Sequence, residues 1–158
     1  MAKVKTCLWF ENDAEQAVRR YVELVEGSRI EHVMRSPGPW PGGAAGEAIV
    51  VDFTLGGQAF QALNGGTRAD YGTAASISVE CADQAAVDRL WSALTTDGGA
   101  EIQCGWLRDR WGVPWQIVPA ALPRLLAHED RAVAARVFAA MSAMVKIDVA
   151  ALERAAKG

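Results

Sequence analysis

The sequence predicts an α+β fold of two βαβββ modules followed by C-terminal helices, and three observations carry that reading. Apolar residues alternate over short stretches and then recur at helical spacing, and this order is run through twice. A shift of 70 lays Asp13 on Asp83, Tyr21 on Trp91 and Leu24 on Leu94, while one residue of slippage would put Val18 on Val87. That is the mark of an internal duplication. Beyond residue 119 the composition turns to alanine-rich helix.

Residues 4–10 read as a first strand. Asn12 or Asp13 then offers an N-cap before Ala14, Ala17, Val18, Tyr21, Leu24 and Val25, an apolar stripe that Gly27 ends. Residues 29–35 alternate as a second strand. The proline- and glycine-rich run 37–43 suits neither element and forms a loop carrying Trp40. Residues 47–55 are rich in β-branched side chains, Gly56-Gly57 is a two-residue hairpin signal, and 58–63 returns as the partner strand before Asn64-Gly65-Gly66. In the second half, 73–81 alternates, and Asp83 caps a helix with Val87, Leu90, Trp91 and Leu94 on its face, stopped by Gly98-Gly99. Three short strands are expected at 100–105, 106–111 and 113–119. After them come a short apolar helix or turn at 122–128 and a helix capped by Asp130 with Val133, Val137, Phe138, Met141 and Met144 on one side. A last helix, capped by Asp148, runs to Ala156. The expected division is a two-module domain over 1–120, with modules at about 1–66 and 73–120. A helical extension at 121–158 either packs on that domain or a subunit interface, or serves as a regulatory tail.

A chain of 158 residues with 51% hydrophobic and 22% charged residues has one domain's length and material for a packed core, which excludes disorder. The net charge of −3, with no basic stretch, lacks the electrostatic footprint of a nucleic-acid binder. No run approaches the roughly 18 apolar residues of a membrane span, and the first ten residues hold too short an apolar stretch for a signal peptide. Cys7, Cys81 and Cys104 form an odd, widely spaced set, expected to be free thiols in a reducing, cytoplasmic setting.

At the level of words the chain resembles a known family. The segments LWFENDAEQAVRRY (8–21), GQAFQALNGG (57–66), ASISVEC (75–81), QCGWLRDRWGVPWQIVP (103–119) and KIDVAALERA (146–155) are similar to the PhnB-like branch of the vicinal oxygen chelate superfamily. That superfamily includes glyoxalase I, bleomycin-resistance proteins and extradiol dioxygenases, and the branch carries the label 3-demethylubiquinone-9 3-methyltransferase domain. The resemblance implies the duplicated βαβββ fold and a homodimer, and says little about a reaction. A nucleoside-type methyl donor needs a parallel sheet and a glycine-rich strand-to-helix turn. The glycine pairs at 42–43, 56–57, 65–66 and 98–99 fall instead in loops, hairpins or a helix stop, so methyl transfer is not expected.

Metal-dependent members of the superfamily take one ligand from the first and last strand of each module. The resemblance carries those positions to Thr6, to the strand holding Gln58 and Gln61, to Ser76 and to Gln116. Hydroxyls and amides are poor holders of a transition ion, which wants several imidazoles, thiolates or carboxylates together. His32 and His128 lie away from those strand positions and read as surface or packing residues. The expectation is no metal and no cofactor.

What remains is a small-molecule cavity lined by Gln103, Cys104, Trp106, Trp115 and Gln116, with Gln58 and Gln61 contributing. Aromatics with a few convergent polar groups are the usual lining of such a site. The same tryptophans would equally serve as sheet core, Trp9 reads as core, and Trp40 as a loop or lid residue. Cys104 and Trp106 share a face if their strand is continuous. Cys104 is either an inert thiol or a nucleophile, Asp109 between Arg108 and Arg110 either a hairpin tip or a charged rim, and Asn64 either a turn former or a mouth residue. Two functions stay open: a metal-free small-molecule-binding protein, and a metal-free isomerase or lyase using Gln116 and Cys104.

Overall fold

The structure, a computed structural model, describes all residues 1–158. The chain divides into two compact units, Met1–Asp70 and Tyr71–Gly158. Each holds a four-stranded mixed sheet with a helix on one face, in the order strand, helix, three strands.

In the first unit β1 (Thr6–Phe10) leads to α1 (Ala14–Leu24), then β2 (Arg29–Arg35), β3 (Ala48–Leu55) and β4 (Gln58–Asn64). The sheet order is β1-β4-β3-β2, with β1 parallel to β4 and the other pairs antiparallel. Alternation decides the faces. Leu8, Phe10, Val51, Phe53, Leu55, Phe60 and Ala62 turn to one side, where Ala14, Ala17, Val18 and Tyr21 of α1 are fully buried. Phe53 and Phe60 stack there with ring centroids 5.4 Å apart. The opposite face has no helix on it, and we call it the open face.

Asp13 stands at the N-cap position of α1 but makes no side-chain cap bond. The cap comes from across the unit: Asn64 Oδ1 accepts from Ala14 N at 2.9 Å, and its Nδ2 donates to Ala48 O at 2.9 Å. Asn64 is therefore a buried tie between α1, β3 and β4 that ends its strand, not a turn former, and it also lines a cleft at the start of α1.

In the second unit β5 (Ile77–Cys81) leads to α2 (Gln84–Thr95), then β6 (Ala100–Glu101), β7 (Trp106–Arg108) and β8 (Pro114–Pro119), in sheet order β5-β8-β7-β6. Asp83 caps α2 as expected, accepting from Ala86 N at 2.9 Å. The last three strands are shorter than their patterns suggest because two turns interrupt them. Cys104 and Gly105 both adopt positive φ, 59° and 80°, so the chain folds back before Trp106. Asp109 is buried, and its Oδ1 accepts from Trp111 N and Val113 N, closing the second turn. It sits in the hairpin turn between β7 and β8, with its carboxylate turned inward and not forming a charged rim.

The C-terminal helices α3 (Ala121–Leu126), α4 (Arg131–Ser142) and α5 (Val149–Lys157) belong to this unit. Leu122, Val137, Ile147 and Leu152 form their common core, with Val118 of β8 packed against it. Asp130 and Asp148 cap α4 and α5 through bonds of 2.8 and 2.9 Å. Phe138 does not join the buried stripe: it neighbours buried Val137, a turn of about 100° away on the helix, and is 58% exposed. No helix is long and apolar enough to cross a membrane.

Candidate functional site

The open face of the first unit is built by strand register. Cys7 sits opposite Gln61, Gln61 opposite Asp52, and Asp52 opposite His32, so one side chain from each strand forms a polar row across the sheet. Two residues along, Trp9, Leu63, Val50 and Met34 form a second, apolar row on the same face. Gln61 Nε2 donates to Asp52 Oδ1 at 3.0 Å, and Lys5 Nζ reaches the same oxygen at 2.7 Å. The Lys5 ammonium is the main reason Asp52 is held below its ordinary carboxyl value. Burial pushes the Cys7 thiol up, which keeps it protonated and a weak nucleophile.

Trp9, expected in the core, lies on this face instead. Leu8 and Phe10 take the helix side, so alternation turns Trp9 outward, and it is 38% exposed. Its Nε1 donates to Thr67 O at 2.8 Å, and its ring covers Gly65 so closely that a Cβ there would overlap it.

The second unit repeats the arrangement in smaller form. Ser78 stands opposite Gln116, and Gln116 opposite Trp106. Ser76 falls on the same side as Ser78, and Gln116 Nε2 donates to Ser76 Oγ at 2.9 Å. Gln61 and Gln116 thus hold matching places, each on the last strand of its unit and opposite the first strand. Each spends its N–H on a side chain of its own face, and no protein donor meets either Oε1.

The other sequence-derived candidates fall elsewhere. Gln58 is three residues from Gln61 in β4, so it points to the opposite face, in phase with Phe60 and Ala62. Trp115 is adjacent to Gln116 and for the same reason turns to the helix side, fully buried, with its Nε1 donating to Asp109 Oδ2 at 2.9 Å. Gln103 and Cys104 lie in the turn before β7, not in a strand. The backbone N–H groups of Cys104 and Gly105 donate to Met144 O and Val145 O, and the Cys104 sulfur rests 3.9 Å from Ser142 O. Thr6 is in phase with Leu8 and Phe10 and faces away from the polar row, a place that Cys7 and Lys5 take.

Sequence reasoning missed a cleft of about 540 Å³ in the first unit, at the start of α1 and under the loop that carries Trp40. Its charged groups are largely spent on structure. Glu15 accepts from Arg19 and Arg35, which hold it below its ordinary value, and Glu47 accepts from Ala44 N. Trp40 pairs with Gly43 as a small bridge, and its Nε1 is buried with no partner.

Paired mixed sheets, each with one helix on its back, define the glyoxalase/bleomycin-resistance class of α+β proteins. Residues 2–118 match the family described as 3-demethylubiquinone-9 3-methyltransferase, and the chain belongs to that PhnB-like family. It is similar to a putative 3-demethylubiquinone-9 3-methyltransferase, PhnB protein, of Bacillus cereus, with 30% identity over 75% of this chain and 100% of that one and a TM-score of 0.67. A protein of Pseudomonas aeruginosa shares the fold at 21% identity, covering 75% of this chain and 98% of its own, with a TM-score of 0.61. The fosfomycin resistance protein FosX of Listeria monocytogenes shares it at 8% identity, 76% and 93% coverage and a TM-score of 0.50. No curated protein matches the sequence.

The residues on these strands do not fit the divalent ion that some superfamily members hold. The first unit's row spaces a thiol, an amide, a carboxylate and an imidazole along four adjacent strands, the second unit offers a hydroxyl and an amide, and no three His, Cys, Asp or Glu side chains converge anywhere.

Proposed function

We propose that this chain binds a small organic molecule on a sheet face without a metal, Gln61 serving as the orienting amide of the first unit's face and Gln116, beside the apolar Trp106, as that of the second unit's. One observation carries the reading. The duplication has left an amide at the same place on the last strand of each unit, held by its N–H so that a fixed carbonyl oxygen is presented. A fixed acceptor on a half-covered face suits recognition, since its orientation entropy is already spent.

Methyl transfer, which the family description names, has less support. The strand-to-helix turns at 11–13 and 82–83 contain no glycine, so the backbone cannot approach a nucleoside cofactor there as such sites require. Two copies associate in our reading, since Phe138 and Val145 leave an apolar surface on the C-terminal segment.

The test is a thermal-shift and calorimetric screen of small metabolites against the wild type, Gln61→Leu and Gln116→Leu. A compound that binds the wild type and loses about tenfold or more of its affinity in either variant supports the reading. Undiminished affinity in both variants, or no binder of any class, overturns it.

A further inference from the structure

We infer that the first unit's open face selects a neutral amphiphile: a hydroxyl-bearing head on the polar row and a flat aromatic or alkyl body on the apolar row. The inference rests on the binding function proposed above and names the class of ligand for the first unit's face.

The body follows from the apolar row. Trp9 and Met34 are 38% and 44% exposed, with Leu63 and Val50 half-buried between them. All four stand on one face by register, so they form a strip across the sheet and not scattered surface residues. The indole is held in place by its bond to Thr67 O and by Gly65 beneath it, which makes it a rigid platform for a flat group.

The head follows from the polar row. Lys5 and Asp52 cancel one another's charge at 2.7 Å. A carboxylate head would meet Asp52 and an ammonium head would meet Lys5, so neither sign gains net attraction. A neutral group that donates a hydrogen bond finds Gln61 Oε1, whose amide is oriented by the bond from one of its two Nε2–H groups to Asp52. A hydroxyl does this and also accepts from Lys5. The two rows are two residues apart along each strand, about 7 Å, which fixes the distance between hydroxyl and apolar body.

The probes are 4-butylphenol, 4-butylanisole and 4-butylbenzoate, titrated by calorimetry, with NMR mapping of the Gln61 side-chain amide and the Trp9 indole N–H in the wild type. The phenol is expected to bind about tenfold tighter than the anisole, in which a methyl replaces the donated proton, and tighter than the benzoate. Both named resonances should shift on adding the phenol. In Gln61→Leu the phenol and anisole should converge, and in Trp9→Ala both should weaken. Equal affinity for phenol and anisole in the wild type, tighter binding of the benzoate, or shifts confined to other residues would overturn the inference, and the NMR arm stands even if a variant misfolds. If the phenol does not bind but the metabolite screen yields a ligand that depends on Gln61 or Gln116, this inference falls and the binding function stands. If nothing binds at all, both fall.

Discussion

Asn64 offers the sharpest test of how the first unit is held together. Replacing it by alanine removes an acceptor from Ala14 N and a donor from Ala48 O, both at 2.9 Å and both in a buried setting. Each orphaned buried backbone group costs about 1 to 3 kcal/mol, and the two share one side chain, so Asn64→Ala should cost about 2 to 4 kcal/mol. An ordinary exposed N-cap is worth about 1 kcal/mol, and Asp13, at that position, makes no cap bond at all. Asp13→Ala should therefore cost about 0.5 kcal/mol or less. Urea unfolding measures both: with a slope of about 1 to 3 kcal/mol per molar, Asn64→Ala should lower the midpoint by about 0.7 M or more, while Asp13→Ala barely moves it. Asn64→Asp separates the two bonds, since it keeps the acceptor for the helix end and sets a carboxylate oxygen against Ala48 O. It should fall between alanine and wild type. An Asp13→Ala loss equal to or greater than that of Asn64→Ala would refute the assignment of the cap to the distant residue.

Gly65→Ala should collide with the Trp9 ring and cost about 1 to 3 kcal/mol, with a shift in tryptophan emission; Trp9→Ala in the same chain should remove most of the added cost, and simple additivity would show that the ring does not sit there. The Lys5 contact lowers Asp52 in the folded state, so this carboxylate stabilises the fold above the ordinary aspartate value of about 3.9 and loses that contribution as the pH falls through its lower folded value. The pair is partly exposed and worth about 0.2 to 1 kcal/mol, so Asp52→Asn should lower stability slightly at pH 7 and flatten the acid limb; an unchanged limb in urea midpoints between pH 2.5 and 7 would count against the pair. Phe138→Lys should convert a dimer to a monomer in light scattering at micromolar concentration, and a wild type that is monomeric there would remove the association altogether.

What the sequence made legible is what adjacent residues decide. Asp83, Asp130 and Asp148 each cap the helix that begins beside them, and each bond is present. The period-two rule places Gln61 and Gln116 on open faces, and applied strictly it also separates Gln61 from Gln58 and Gln116 from Trp115, so grouping all four in one lining set asks adjacent positions to share a face. The rule likewise turns Trp9 outward once Leu8 and Phe10 are given to the core; its size and apolarity point the other way. Asn64 is different in kind. Its two partners are Ala14 and Ala48, 50 and 16 residues away in sequence, and no local pattern distinguishes such an asparagine from one that starts a turn. The break at Cys104 is also non-local in cause, because the N–H groups it frees from a strand are taken by carbonyls of 144 and 145.

That last contact explains why the second unit carries the C-terminal helices and the first does not. In the first unit β2 and β3, seven and eight residues long, pair at six positions. In the second, β6 and β7 pair at only two positions, Ala100 with Arg108 and Glu101 with Leu107. A sheet so short leaves the Cys104 and Gly105 N–H groups without a partner strand, although Gly105 O accepts from Ile117 N of β8, and unpaired N–H groups there would cost free energy. The segment after α4 supplies Met144 O and Val145 O to that backbone, while Ile147 packs close against Gly105. From the other side, Gln84 at the start of α2 donates to Ile147 O and accepts from Val149 N. The extension is therefore continuous with the unit's core and completes a sheet whose own strands are too short, and it packs on Val118, two residues along β8 from Gln116 and on the same face.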